Sequence, residues 1–182
     1  MKNKRGLVLT VAGPHGSGRS TQATKLAEFF GLRYVSTGTL FRERAAQLGV
    51  SLEEMTKIVA RDDGFDRFLD DRAREETKKG GVVLDATLSG FVAVDPDLRI
   101  YLIAPLEVRV ARIANRENRD FGEVEMETKL REEAELDRFR RYYSYDLADL
   151  SIYDLVLNTA HFDADAVAHI LKNVVESYML ER

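Results

Sequence analysis

The segment that most constrains this chain is Gly13-Pro14-His15-Gly16-Ser17-Gly18-Arg19-Ser20, directly after the apolar run Leu7 to Ala12. It follows the Walker A pattern G-x-x-x-x-G-K-[ST] with Arg19 in the lysine position. The pattern works because its glycines let consecutive backbone N–H groups converge on phosphate oxygens, while a cation neutralises their charge and the hydroxyl binds Mg²⁺. A guanidinium is bulkier and planar, but it is a good phosphate ligand. Ser20 to Phe30 continues the loop with apolar residues at helical spacing, so a helix N-terminus aims its unpaired N–H groups and positive dipole end at the same point.

The 182 residues suffice for one sizeable core, and a single domain spanning 1–182 is expected. No run approaches the roughly 18 consecutive apolar residues of a membrane span, and the polar start Met1 to Arg5 leads straight into a strand. Cysteine is absent and there are three scattered histidines, which excludes disulfides and thiolate metal sites and makes a zinc cluster implausible. This composition suits a cytoplasmic protein. A net charge of −4 argues against nonspecific nucleic-acid binding.

Strand-type runs recur at Leu7 to Ala12, Tyr34-Val35, Gly81 to Asp85, Leu98 to Ile103 and Asp154 to Asn158, with helical patterns between them. Short, nearly continuous apolar strands alternating with helices predict an α/β fold, an open parallel sheet covered on both faces, with ligands at the carboxyl ends of the strands. Val167, Ile170, Leu171, Val174, Val175 and Tyr178 predict a core-packing terminal helix. Two charged helical stretches exceed a minimal crossover. The first, about 37–80, has enough apolar residues for a small helical subdomain, and the second, about 115–143, is rich in Arg and Glu, as for a solvated flap that closes over ligand.

Asp85 ends the third strand, where a carboxylate can hold a water of the Mg²⁺ shell or simply cap a turn. Arg112, Arg116 and Arg119 share a helical face, as do Arg131 and Arg138 with Glu135 between them. Such a face is ordinarily solvated and laced with Glu–Arg pairs, yet beside a phosphate loop it also suits charge stabilisation during phosphoryl transfer. Ser36-Thr37-Gly38-Thr39-Leu40-Phe41-Arg42 opens a helix after a short strand and offers hydroxyls, a dipole and a guanidinium to a second anion; Thr37 or Thr39 can instead be an N-cap. Two anion sites on one sheet edge suggest donor and acceptor nucleotides facing each other, with no covalent intermediate needed.

On the phosphate loop, the segments Ser36 to Arg42, Gly81 to Asp85, Leu88-Ser89-Gly90, Ala104 to Arg109, Arg131-Glu132-Glu133 with Arg138, and Asp149 to Val156, the chain resembles the nucleoside monophosphate kinases. It is most similar to those of the archaeal cytidylate kinase type. The resemblance implies a P-loop fold with a five-stranded parallel sheet, a helical monophosphate-binding insertion and a lid. It also implies a monomer that transfers a phosphoryl group from ATP to CMP or dCMP with Mg²⁺.

By position, Gly13, Gly16, Ser17, Gly18, Arg19, Ser20 and Thr21 would hold ATP, with Arg112 and Arg116. Ser36, Gly38, Arg42, Arg72, Asp85 and Thr87 would hold the acceptor, Ser20 and Asp85 the metal, and Arg19, Arg131 and Arg138 would stabilise the moving phosphoryl group. The chain departs from the family at Arg19, and at Asp85-Ala86-Thr87, where acid-Gly-Arg is expected. Those departures leave open a silent nucleotide-binding protein of the same fold, or a kinase for another nucleotide or phosphorylated metabolite.

Overall fold

The computed structural model describes residues 6–51, 54–55, 58, 64–143 and 146–181, and the side chains of Asp66, Ala134, Arg138 and Tyr142 lie outside that description. Strands β1 (Val8–Ala12), β2 (Arg33–Ser36), β3 (Val82–Asp85), β4 (Leu98–Ile103) and β5 (Leu155–Asn158) form one parallel sheet in the order β2-β3-β1-β4-β5. The central strands β1 and β3 are buried throughout, which is why they read as unbroken apolar runs. Edge strand β5 alternates, as one exposed face requires. The strand order reverses beside β1, so the loop after β1 opens into the crevice at the carboxyl edge.

Helices cover both faces. On one, α1 (Arg19–Phe30) and the terminal helix α7 (Ala164–Leu180) bury Leu26, Val167, Leu171 and Val175 against Leu9, Val11, Ile100 and Leu102. The neighbouring strand residue points the other way, and there Leu84 meets Ala73 of α3 (Gly64–Lys79), Val92 of the short α4 (Ser89–Val92) and Phe139 of α6 (Phe121–Tyr142). The first insertion has its own small core, in which Leu40 and Ala45 of α2 (Thr37–Leu48) pack with Met55, Phe65 and Leu69.

The second insertion, expected at about 115–143, begins within one helix and runs through a second. Its presumed start at 115 falls inside α5 (Leu106–Glu117), which ends where Asn118 turns left-handed at φ 51°. Arg119 thereby leaves the face of Arg112 and Arg116 and pairs with Glu127 at 2.6 Å. Asp120 caps α6 through the Glu123 N–H. This helix is tied down at both ends, by Val124 against Val110 and Ala114 and by Phe139 against the sheet's helical layer. Among the described residues, no helix is long and apolar enough to cross a membrane.

Candidate functional site

The phosphate loop is held open by the two glycines that no other residue can replace. At Gly13, φ is +143° and a Cβ would lie 2.3 Å from the Leu102 carbonyl oxygen; at Gly16, φ is +79° and a Cβ would lie 2.6 Å from that of Arg109. The loop therefore rests directly on the backbone of β4 and α5. Gly18, also left-handed, takes the N-cap position of α1 without a capping side chain, so the helix's first N–H groups face outward.

Arg19 does not extend freely. Its Nη1 donates to the Gly13 carbonyl at 2.8 Å and to Thr87 Oγ1 at 3.1 Å. Its Nε lies 2.5 Å from Asp85 Oδ1, an ion pair whose N–H is not aligned for a hydrogen bond. The other Asp85 oxygen accepts from the Tyr34 hydroxyl at 2.7 Å. Burial, followed by the adjoining Asp85 charge, holds the Tyr34 phenol above the usual tyrosine range, so it stays a donor. Arg19 and Thr87, two of the residues that depart from the expected pattern, thus touch one another.

Opposite the loop, α6 contributes carboxylates that the sequence reading did not assign. Glu132 accepts from the His15 backbone N–H at 3.2 Å and takes both Nη groups of Arg109, at 2.5 and 3.2 Å. Arg109 is buried and also donates to the carbonyls of His15 and Ala104. Glu135 lies 3.1 Å from His15 Nε2. A signal for Arg109 existed in its position three residues after Leu106 and four before Ile113, on the apolar side of α5. Glu132, Glu135, His15 and Tyr34 carried none, since nothing local marks a contact across more than a hundred residues, or between strands.

Among the described residues, three neighbouring cavities along the sheet edge bear on this site. The largest, about 560 Å³, lies between α2, α3 and the ends of β2 and β3 and is lined by Ser36, Gly38, Arg42, Asp85, Thr87, Arg131 and apolar residues including Phe41, Leu69 and Phe139. The second, about 150 Å³, lies over the phosphate loop with Gly16, Gly18, Thr21 and Arg116. His15, Arg19, Ser20 and Arg131 line both. The third, about 290 Å³, adjoins the second and is walled by Ile113, Phe162 and Val167 with Ser17, Arg112 and Thr159.

Most expected residues therefore meet, with different duties. Ser36 spends its hydroxyl on the N-cap of α2, accepting from Thr39 N–H at 3.0 Å while Thr39 Oγ1 returns the bond, so the cap is Ser36 and not Thr37 or Thr39 alone. The N–H groups of Thr37 and Gly38 sit at that helix start, beside Arg42, which has no hydrogen bond or ion pair with the described residues. Arg112 ties the loop after β5 to the phosphate loop through Thr159 Oγ1 and O, at 2.9 and 2.6 Å. Arg116 and Arg131 are largely exposed, paired with Glu117 and Glu135. The Arg138 side chain lies outside the described residues.

Arg72, expected to reach the acceptor, instead makes ion pairs within α3 and across to α2. Helical spacing brings it against Glu75 at 2.8 Å and Glu76 at 3.6 Å, with Glu43 of α2 at 3.9 Å, and it does not line the large cavity. Its charge serves the junction of α2 and α3. Thr87 lines the cavity, but its hydroxyl is engaged by Arg19.

Comparison with known proteins identifies the group. The chain is 42% identical over 176 residues to the cytidylate kinase of Staphylothermus marinus, covering 96% of this chain and 99% of that one. It is 43% identical to that of Ignicoccus hospitalis, covering 92% and 98%. This chain belongs to the cytidylate kinase family. A family described as AAA domain also matches residues 12–131. Among solved structures, shikimate kinase from Acinetobacter baumannii in complex with shikimate superposes with a TM-score of 0.63 over 94% of each chain at 17% identity, which speaks for the fold alone. The five-stranded parallel architecture described above is thus a P-loop kinase fold.

Proposed function

We propose that this protein transfers the γ-phosphoryl group of ATP to the phosphate of CMP or dCMP. The observation that carries the reading is a shared wall: Arg19, Ser20, His15 and Arg131 border both the large cavity and the phosphate-loop cavity. A phosphoryl group passing between two bound nucleotides must cross such a junction. The membership in a family whose named relatives are cytidylate kinases supports the choice of acceptor.

In this reading the donor base lies in the cavity walled by Ile113, Phe162 and Val167, and its phosphates lie over the start of α1. The acceptor occupies the large cavity with its phosphate at the N-terminus of α2 beside Arg42, the one cationic side chain there that no carboxylate claims among the described residues. An acceptor phosphate oxygen attacks the γ-phosphorus in line; the bond to the β-phosphate bridging oxygen breaks, leaving ADP and the nucleoside diphosphate. Arg19 and Arg131 offset the negative charge on the group in transit.

Mg²⁺ fits the residues present. Ser20 offers a hydroxyl at the junction, a hard donor of the kind that completes a shell shared with phosphates and waters, and Asp85, whose Oδ1 faces Arg19 Nε at 2.5 Å, would serve a water of that shell and not the ion directly. When bound, the ion neutralises phosphate charge. Among the described residues there is no cluster of three or more His, Asp or Glu side chains, which agrees with an ion held mainly by the nucleotide.

The test is incubation of the purified protein with ATP and Mg²⁺ against each common ribo- and deoxyribonucleoside monophosphate, with products separated by chromatography. CDP or dCDP should form in step with ADP. Transfer to a different monophosphate would reassign the acceptor, and ADP production no faster than without acceptor would overturn the reading. Arg19→Ala should abolish transfer and Arg19→Lys should retain it.

A further inference from the structure

We infer that Thr87 is a positioning residue for Arg19, turning the guanidinium so that its Nη2 edge is presented to the phosphoryl group at the junction. The inference rests on the reading of that junction as the transfer site. Arg19 is fixed from three directions. Nη1 is held between the Gly13 carbonyl at 2.8 Å and the Thr87 hydroxyl at 3.1 Å, and Nε sits against Asp85 at 2.5 Å. These anchors come from the phosphate loop and the end of β3, and they use two of the three nitrogens of a rigid plane.

The remaining nitrogen is different. Nη2 makes no hydrogen bond with the described residues and is not one of the sealed polar atoms, whereas Nε is sealed. The open space that Arg19 borders is the large cavity and the phosphate-loop cavity. Nη2 is therefore the donor left to face a ligand there. Thr87 suits the anchoring role because its β-branched side chain has restricted χ1 freedom, and it also borders an apolar cavity with Phe91, Tyr101 and Tyr153. A lysine at 19 would have no plane to orient, since an ammonium is a point charge with three equivalent donors. The neutral residue at 87 and the arginine at 19 are thus two halves of one device.

A double-mutant cycle of Thr87→Val and Arg19→Lys tests this, with two readouts. In calorimetry with β,γ-imido-ATP and with ADP, Thr87→Val should weaken the triphosphate about tenfold, the equivalent of one charge-assisted hydrogen bond, and leave ADP within about twofold. Neither affinity should change when Thr87→Val is introduced into Arg19→Lys. In steady-state transfer to CMP, Thr87→Val should lower kcat/KM for ATP about tenfold or more with the KM for CMP within about twofold, and Thr87→Ser, which keeps the hydroxyl, should restore it. Equal losses in both backgrounds, or a rise confined to the acceptor's KM, would overturn the inference and make Thr87 a direct acceptor contact. Because the calorimetric arm needs no turnover, a wild-type protein inactive on every monophosphate would refute the proposed reaction and still decide the coupling.

Discussion

Replacing Arg109 with Met should cost the protein about 2–3 kcal/mol, a magnitude that follows from what the guanidinium holds. The side chain is buried and donates to the carbonyls of Ala104 and His15 and to both oxygens of Glu132. Removing one member of a fully buried ion pair costs about 3–5 kcal/mol because the other charge is stranded, whereas exposed pairs are worth at most about 1 kcal/mol. The Glu132 side chain is 22% exposed, so it rehydrates in part and the expected loss falls between the two limits. For a chain of this size that corresponds to a drop in Tm of about 4–12 °C. Circular dichroism melts, with urea titrations for ΔG, measure it. Arg109→Met combined with Glu132→Met should recover at least about half the loss, since the stranded carboxylate is gone. A single-variant loss under about 0.5 kcal/mol, or losses that simply add in the double variant, would refute the claim that this pair pins α6 to the phosphate loop.

Arg42→Ala should raise the KM for CMP by about 10- to 150-fold, the range for one charge-assisted hydrogen bond, while the KM for ATP stays within about twofold; parallel losses for both would mean the acceptor phosphate lies elsewhere. Gly16→Ala, which forces a Cβ to within 2.6 Å of the Arg109 carbonyl at a φ of +79°, should destabilise by about 1–3 kcal/mol and abolish ATP-induced stabilisation in a thermal shift assay; retained ATP binding would show that the loop can open without harm. Alkaline stability should depend on buried phenols. Burial, then the neighbouring Tyr101, pushes the Tyr153 hydroxyl far above the ordinary range, and burial first of all raises Tyr34 and Tyr101 too. A raised folded-state pKa favours the neutral form, so their contribution is whole below about pH 10 and is lost as pH rises through the folded values. Tyr153→Phe should flatten that decline, and an unchanged slope above about pH 10 would contradict it.

The sheet was legible in the sequence because β1, β3 and β4 are buried enough to be written as apolar runs, and the phosphate loop because its glycines are forced by backbone approach. The start of α2 was legible in kind, although the cap fell to Ser36 with Thr39 closing the box. Duties of the arginines were not. Spacing says which side chains share a helical face, but whether Arg72 reaches a ligand depends on the carboxylates beside it, and three claim it. Arg112 is drawn to Thr159, 47 residues away, and Arg19 to Thr87, 68 residues away. Such pairings are made by the sheet order, which brings the ends of β1 and β3 together only once the fold exists. The attachment of α6 to the phosphate loop escaped for the same reason, since Glu132 and Glu135 look like any other members of a charged helix.

The three cavities along the carboxyl edge join end to end: the middle one shares Arg19 and Ser20 with the first and Gly16, Gly18, Thr21 and Arg116 with the third. A single molecule carrying an adenosine and a cytidine on one polyphosphate tether of matching span would enter this trench as one body. Binding of its first half would place the second at an effective concentration in the millimolar range, so its affinity should far exceed that of either nucleotide alone. The same continuity makes tether length a ruler: affinity should peak sharply at one phosphate count, and that count would measure the distance between the two bases in the assembled site.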